Sequence, residues 1–285
     1  QTEVIPALGG GEASVNGTRY ATLEEAIANA PAGATVELLS DVTAEAPILL
    51  NKSITINGNN KKLFSSAKRA INIDSINGDQ TVVINDLEIV AGKGCQRAIN
   101  IITGNSSGAH AANVTLNNVT ATENSYYAYA PVYVAPSAGA GTTLTVNDST
   151  ISGWIALSVY GDDRTVEVNN SDLTGIAYSD KDGGPVVNVW ATNSEISING
   201  GSITAVVPDG LTQEGVAVSN GYESTNLTVS DETVVNGNVQ TIVAMVGQGG
   251  FATLQEAIDY AAAKGGTVKL IRDVEASEKL VVNGN

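Results

Sequence analysis

Two acidic turns carry the residues best suited to metal chemistry. Asp162 and Asp163 are adjacent in one turn, and Asp180 and Asp182 lie two residues apart in another. Calcium in proteins takes about six to eight oxygen ligands, many of them from carboxylates. These four aspartates are therefore candidate calcium ligands. Each turn is also typical of an exposed loop, so the alternative is that the chain uses no cofactor.

Aromatic side chains gather in the same part of the chain, at Tyr133, Trp154, Tyr160 and Trp190. An aromatic ring offers a large apolar face and, in Tyr and Trp, a polar edge, which suits stacking on sugar rings. Tyr160 follows Val159 and Trp190 follows Val189 at equivalent positions of two predicted strands, so we expect them to be neighbours at about 4.8 Å, the strand spacing. These four residues form the candidate carbohydrate-binding platform. The alternative is an aromatic stack that only covers the exterior.

Composition narrows the classes of partner. The chain has 285 residues and a net charge of −16, with 14 basic against 30 acidic residues. Such a chain repels phosphate backbones and anionic lipid, so we expect neither nucleic acid nor membrane surfaces as partners. The sequence contains no run of about 18 apolar residues, so it predicts no membrane-spanning segment. The acidic, Gly- and Asn-rich composition with one cysteine is typical of an exported bacterial protein, secreted or held at the cell surface.

A dipeptide of an apolar residue followed by Asn recurs through the middle of the chain every 22 to 32 residues. Recurrence at this interval predicts a solenoid, in which each coil buries its apolar face only against its neighbours. Asn tolerates the left-handed backbone that turns a corner, and its amide can both donate and accept. We therefore predict a structural ladder at one corner, formed by Asn57, Asn85, Asn117, Asn147, Asn169 and Asn199.

Alternation of apolar and polar residues predicts two strands in each coil, such as those around Val82–Asn85 and Ile99–Ile101. No helical segment separates these strands, so parallel stacking of coil on coil is the economical arrangement. One helix is predicted before the coils. Thr22 and Glu25 have the spacing of a capping box, and an apolar stripe follows from Leu23 until Pro31 ends the helix.

An amphipathic helix followed by Asn-laddered coils resembles the right-handed parallel β-helix proteins of the pectate lyase-like superfamily. The segment Tyr20–Ile27 is similar to the cap segment of the bacterial surface and adhesin branch. The resemblance covers nearly the whole chain at the level of the fold. It implies an all-β, right-handed parallel β-helix whose N-terminal helix shields the open end of the solenoid, where strand edges would otherwise be unpaired.

The cap segment occurs twice. Residues 251–258 repeat 20–27, and residues 268–274 repeat 36–42. The sequence therefore predicts a linker at 1–11, a β-helix with its cap helix at 12–245, and a truncated start of a second β-helix at 246–285. This last segment carries a second cap helix near the C-terminus, which could also close the first solenoid.

The sequence does not decide whether the chain is an enzyme. The resemblance brings in polysaccharide lyases, which need carboxylates that hold calcium and a basic residue that removes a proton. Asp162, Asp163 and Arg164 supply those residue types. The hydrolase branch typically shows Gly-His-Gly and Arg-Ile-Lys, and neither occurs here; the one histidine is His110. The sequence favours a protein that is not an enzyme.

We expect a non-catalytic extracellular surface module of a bacterium, an adhesin or rod-like spacer. Its expected partner is a glycan or a host or bacterial surface protein, with further β-helix repeats in a longer parent chain. A polysaccharide lyase or glycoside hydrolase and a purely structural stalk are the alternatives. An enzyme predicts carboxylates and a basic residue in one groove, a binder predicts exposed aromatic rings without them, and a stalk predicts neither.

Overall fold

The computed structural model describes residues 10–104, 110–122, 130–179, 184–247, 249–275 and 279–282. The chain is mostly β, with 53% of it in strands, and forms a parallel β-solenoid of about six turns. Most of the linker predicted at 1–11 lies outside the described residues. The two described helices are neither long nor apolar enough to cross a membrane.

The elements before the middle of the solenoid are β1 (Ala13–Val15), β2 (Thr18–Tyr20), α1 (Leu23–Asn29), β3 (Thr35–Leu38), β4 (Val42–Ala44), β5 (Ile48–Leu50), β6 (Ile54–Ser65), β7 (Arg69–Asp74), β8 (Gln80–Ala91), β9 (Arg97–Ile102), β10 (Ala112–Asn117), β11 (Thr120–Thr122) and β12 (Val132–Val134). A short 3₁₀ turn, Ser75–Asn77, precedes β8.

The elements that follow are β13 (Thr143–Asn147), β14 (Thr150–Gly153), β15 (Leu157–Asp162), β16 (Thr165–Ile176), β17 (Val187–Thr192), β18 (Glu195–Val206), β19 (Val216–Asn220), β20 (Asn226–Val229), β21 (Val234–Asn236), β22 (Asn238–Thr241), β23 (Ala244–Val246), β24 (Gly249–Phe251), α2 (Leu254–Lys264) and β25 (Val268–Leu270).

Each coil presents three strand segments, and like segments of successive coils pair in parallel. The first two segments belong to one 14-stranded sheet, because β6, β8, β16 and β18 are long strands that bend around the corner between them. The third segments form the third face, an eight-stranded sheet of β5, β7, β9, β12, β15, β17, β19 and β22. Alternate side chains point inward, and residues such as Val82, Ile84 and Ile89 are fully buried.

The six asparagines named from the sequence lie in strands and form one continuous row of hydrogen bonds. Each Nδ2 donates to the Oδ1 of the asparagine one coil earlier at 2.8–3.0 Å. The row begins at Glu37, whose carboxylate accepts from Asn57 at 2.8 Å. All amides therefore point the same way along the axis, and a carboxylate meets the donor end.

The ladder asparagines do not take the left-handed backbone, so that part of the sequence interpretation was wrong. The residue after each one takes it instead, except after Asn57, where Asn59 and Asn60 are the left-handed residues. Asp86, Asn118, Asp148 and Asn170 have φ between 48° and 51°, and Gly200 has φ 72°. The corner therefore uses two residues: an extended Asn whose amide joins the ladder, and a following Asn, Asp or Gly that tolerates the turn.

At the N-terminal end, the β1–β2 hairpin pairs antiparallel with β3. The helix α1 packs against β1, β2, β3 and β5 and buries Leu23, Ala26 and Ile27. Thr22 Oγ1 accepts from the Glu25 N–H at 3.2 Å. The Leu23 N–H, another free donor of the first turn, donates to the Glu12 carboxylate at 3.1 Å.

The C-terminal unit repeats this arrangement. β23 pairs antiparallel with β24 and β25, as β1 pairs with β2 and β3, and the registers correspond: Ala244 opposes Phe251 and Leu270, as Ala13 opposes Tyr20 and Leu38. Thr253 and Glu256 form a reciprocal capping box on α2. The domain boundaries given above stay a prediction.

We expect Asn117→Ala to lower the free energy of unfolding by about 1–3 kcal/mol, because it leaves a donor of Asn147 and an acceptor of Asn85 without their ladder partners. Asn236→Ala is the control, since Asn236 is exposed and bonds only to the Thr204 hydroxyl among described contacts. Its cost should stay below about 0.5 kcal/mol. Denaturant melts measure both; equal costs would contradict a structural role for the ladder.

At Asn118, where φ is 51°, we expect a Val variant to be less stable than a Gly variant by about 1–2 kcal/mol, because a side chain with a branched Cβ is strained in the left-handed region. At Asn236, in the extended strand β21, the same pair should reverse, with Val the more stable. Thermal or denaturant unfolding of the four variants tests this. The same order at both positions would show that backbone strain does not govern the corner.

Candidate functional site

The four aromatic residues named from the sequence line one groove. Tyr133, Trp154, Tyr160 and Trp190 surround a recess of about 510 Å³ on the outer side of the third face. All four side chains are half-buried. Tyr160 and Trp190 are in register on the neighbouring strands β15 and β17. The repeat spacing therefore brings residues separated by up to 57 positions in sequence to one surface.

The floor of the groove is polar. Ser158, Asn188, Ser219 and Gln240 lie in one column, in register with Tyr133 on successive strands of the third face. The first three are only 3–6% exposed. Hydroxyl and amide groups therefore line a path along the solenoid axis, with aromatic rings on its margins. The sequence analysis missed this floor, although the same spacing that aligned Tyr160 with Trp190 aligns it.

At one end of the groove, the Tyr133 ring lies between two partners. Its centroid is 5.5 Å from that of Tyr160, with the rings tilted by 39°. The Arg97 guanidinium lies 3.5 Å from the Tyr133 centroid and donates to Asn100 Oδ1 at 2.8 Å. A cation over a ring face adds attraction to ordinary packing. These contacts hold Tyr133 in one orientation.

Tyr160 joins the aromatic margin to the floor, because its hydroxyl accepts from Asn188 Nδ2 at 3.2 Å. Burial raises the pKa of the Tyr160 hydroxyl, and the neighbouring Tyr133 raises it further; Asn188 and Arg97 act in the opposite direction. The hydroxyl therefore stays protonated, able to donate to a ligand oxygen, throughout the neutral range.

Trp190 is wedged between the last coils and the C-terminal unit. A Cβ on Gly221 would come within 2.3 Å of the indole, and one on Gly250 within 2.8 Å. Tyr222 meets the ring edge-on, at 5.7 Å between centroids and 82° between planes. Only glycine at positions 221 and 250 permits this approach. Trp190 is therefore a packing residue as well as a margin of the groove.

The acidic turn lies beside a second depression of about 540 Å³, which shares Tyr160 and Trp190 with the groove. Asp162 lines it, and its carboxylate already accepts from Thr192 Oγ1 and from Asn193 Nδ2 at 3.0 Å. Asp163 has φ 52° and turns the corner. Among the described residues no three His, Cys, Asp or Glu side chains cluster as metal ligands. Asp180 and Asp182 lie outside the described residues.

Arg164 points inward and away from the groove. Its side chain is 2% exposed and donates to the backbone carbonyls of Tyr160, Ala138 and Gly139, the first at 2.9 Å and the second at 2.6 Å. Burial lowers the pKa of the guanidinium, while Asp162 and Asp163 oppose that shift. Arg164 therefore fixes a neighbouring loop, and in this position it does not reach a ligand in the groove.

The described lining of the groove is aromatic and polar but uncharged. Among its described lining residues, none is Asp, Glu, His, Lys or Arg, so none supplies the carboxylate pair of a glycosidase. Comparisons with protein-family models, with curated proteins and with solved structures found no match to this chain.

The raised pKa of the Tyr160 hydroxyl predicts that the stability of the fold depends on pH. Because its pKa is raised in the folded state, the folded chain keeps this proton when an unfolded tyrosine loses it, near about pH 10. The stability it contributes is present below that pH and is lost as the pH rises through the raised pKa. We therefore expect the unmodified chain to lose stability relative to Tyr160→Phe above about pH 10. Urea melts from neutral to alkaline pH measure this, and parallel curves would contradict it.

Proposed function

We propose that this protein is a non-catalytic, glycan-binding surface module built as a right-handed parallel β-helix of the pectate lyase-like type. The observation that carries the proposal is the groove itself. Tyr133, Trp154, Tyr160 and Trp190 surround a polar floor in a recess of about 510 Å³, within the range of about 300–1,000 Å³ that is usual for ligand sites.

The arrangement suits a sugar chain that runs along the solenoid axis. Aromatic rings stack on the apolar C–H faces of sugars, while the hydroxyl and amide column of Ser158, Asn188, Ser219 and Gln240 can exchange hydrogen bonds with sugar hydroxyls. The column crosses four strands of the third face. A linear oligosaccharide therefore fits this surface better than a single monosaccharide does.

The ligand proposed is uncharged. The described lining residues include no cationic side chain to pair with a uronic acid or sulfate, and the net charge of −16 repels anionic chains. Arg97, a described cation beside the groove, is held over the Tyr133 ring. This electrostatic setting favours neutral glycans over the acidic polysaccharides on which a lyase would act.

The rest of the proposal rests on composition and on the solenoid. An acidic chain with one cysteine suits an exported protein, and a stack of parallel coils makes a rod that can present the groove away from a cell surface. In this proposal α1 acts as the N-terminal cap, because it buries Leu23, Ala26 and Ile27 against the first strands. Calcium binding through Asp162 and Asp163 stays a prediction.

The experiment is a glycan array followed by titration calorimetry with the best neutral oligosaccharide. We expect Tyr133→Leu and Trp154→Leu each to weaken Kd by about tenfold, equivalent to about 1.4 kcal/mol, because leucine keeps much of the volume but removes the aromatic face. Phe64→Leu is the control, since Phe64 is 39% exposed and does not line the groove. Trp190 is left intact because its removal would open a cavity beside Gly221 and Gly250.

Binding in the presence and absence of EDTA separates the alternatives. Calcium-dependent binding of acidic polysaccharides with cleavage would favour a lyase. Failure of the unmodified chain to bind any glycan would contradict the proposal and leave a structural stalk or a protein-binding adhesin. Equal weakening by Phe64→Leu would show that the groove is not the site.

A further inference from the structure

The C-terminal unit repeats two segments of the first coil in sequence. Residues 267–274 and 280–282 stand 232 positions after 35–42 and 48–50, which contain strand β3, the start of β4 and strand β5. The pairing of β23 with β24 and β25 repeats that of β1 with β2 and β3. The two segments can therefore be compared position by position, one with a second coil stacked on it and one without.

Burial differs sharply between equivalent positions. Leu38 is 1% exposed, whereas its equivalent Leu270 is 52% exposed; Leu50 is 0% exposed, whereas its equivalent Val282 is 75% exposed. Leu280, the equivalent of the buried Ile48, is also exposed. In the N-terminal copy these positions are covered by the next coil, because β6 pairs with β3 and β4 and β7 pairs with β5.

Strand formation differs in the same way. Val42–Ala44 and Ile48–Leu50 are strands in the first copy, but residues 273–275 and 279–282 are not strands in the second. In the second copy, the segment equivalent to β5 still lies against its helix, α2. Gln255 of α2 exchanges two hydrogen bonds with the backbone of Val281, both at 2.9 Å. The segment is therefore in place, and no described strand pairs with residues 279–282.

We propose that the face formed by β25, Leu280 and Val282 is a docking surface for a further parallel solenoid coil. The incoming coil would stack in the register in which β6 and β7 stack on the first coil. Its first strand would place an apolar residue opposite Val268, as Ile56 lies opposite Val36. Strand pairing and apolar burial then supply the affinity. This proposal is independent of the glycan-binding groove.

The first coil and its C-terminal copy differ at the position where the ladder begins. Glu37, which accepts the first ladder hydrogen bond from Asn57, corresponds to Lys269 in the second copy. Lys269 is exposed and is a donor only. The incoming coil therefore carries an acceptor at the position of Asn57, either a carboxylate or an amide oxygen turned toward the lysine.

The test extends the chain after Val282 with a copy of residues 51–241, which continues the 232-residue spacing. Hydrogen exchange is followed in peptides covering 254–282, which occur once in the extended chain. We expect amides in 268–270 and 280–282 to slow by at least about tenfold, toward the rates of 36–38 and 48–50. Unchanged exchange would overturn the proposal.

Hydrogen exchange also detects the case in which the added copy of residues 51–241 does not fold. Peptides from 51–241 are identical in the original and the copy, so an unfolded copy would show as a fast-exchanging half of the population. That result also overturns the proposal, because a coil supplied in the correct register failed to dock. As a second readout, Val282→Asp should lower Tm in the extended chain and leave Tm of the unmodified chain unchanged.

A second copy of the chain is the competing occupant. Sedimentation of the unmodified chain over a range of concentrations tests this, with Leu270→Glu and Val282→Glu as disrupting variants. Leu49→Glu is the control, since Leu49 is an exposed apolar residue of the first coil. Self-association that only the first two variants abolish would assign the face to a second copy and overturn the coil proposal.

Discussion

Stacking of one coil on the next is the interaction on which the rest of this structure depends. A single coil has three short strand segments and an apolar interior, and neither its backbone groups nor its apolar side chains are satisfied alone. The two copies of the first coil show this within one chain. With a second coil on it, the segment forms β4 and β5 and buries Ile48 and Leu50; the described residues of the repeated segment, 273–275 and 279–282, form neither strand.

Parallel stacking also explains how a site arises from scattered residues. Because each strand pairs in register with its neighbour, one outward position in every coil becomes a column on the third face. The column from Ser158 to Gln240 is the groove floor, with Tyr133 at its end, and the next outward column contains Tyr160 and Trp190. The residue type at one position of the repeat is therefore sufficient to place a ring or an amide in the groove.

At the corner, two adjacent residues have separate roles: one forms hydrogen bonds between coils and the other turns the chain. The ladder asparagine stays extended and satisfies its neighbours through its amide, while the following residue takes the left-handed turn. Glu37 supplies the charged acceptor at the donor end of the ladder. A carboxylate suits that position because hydrogen bonds to an ionised acceptor are stronger than those between neutral groups.

Sequence by itself determined the periodic features: the parallel solenoid, the ladder asparagines, the two helices and the register of Tyr160 with Trp190. These follow from spacing and alternation, which stacking converts directly into position. The tertiary structure decided what spacing does not encode. It placed Trp154 on the same groove, wedged Trp190 against Gly221 and Gly250, and directed Arg164 to a backbone carbonyl of Ala138, 26 residues earlier in the sequence. Those outcomes depend on side-chain direction and on contacts between segments of unequal length, and both are fixed only when the coils pack together.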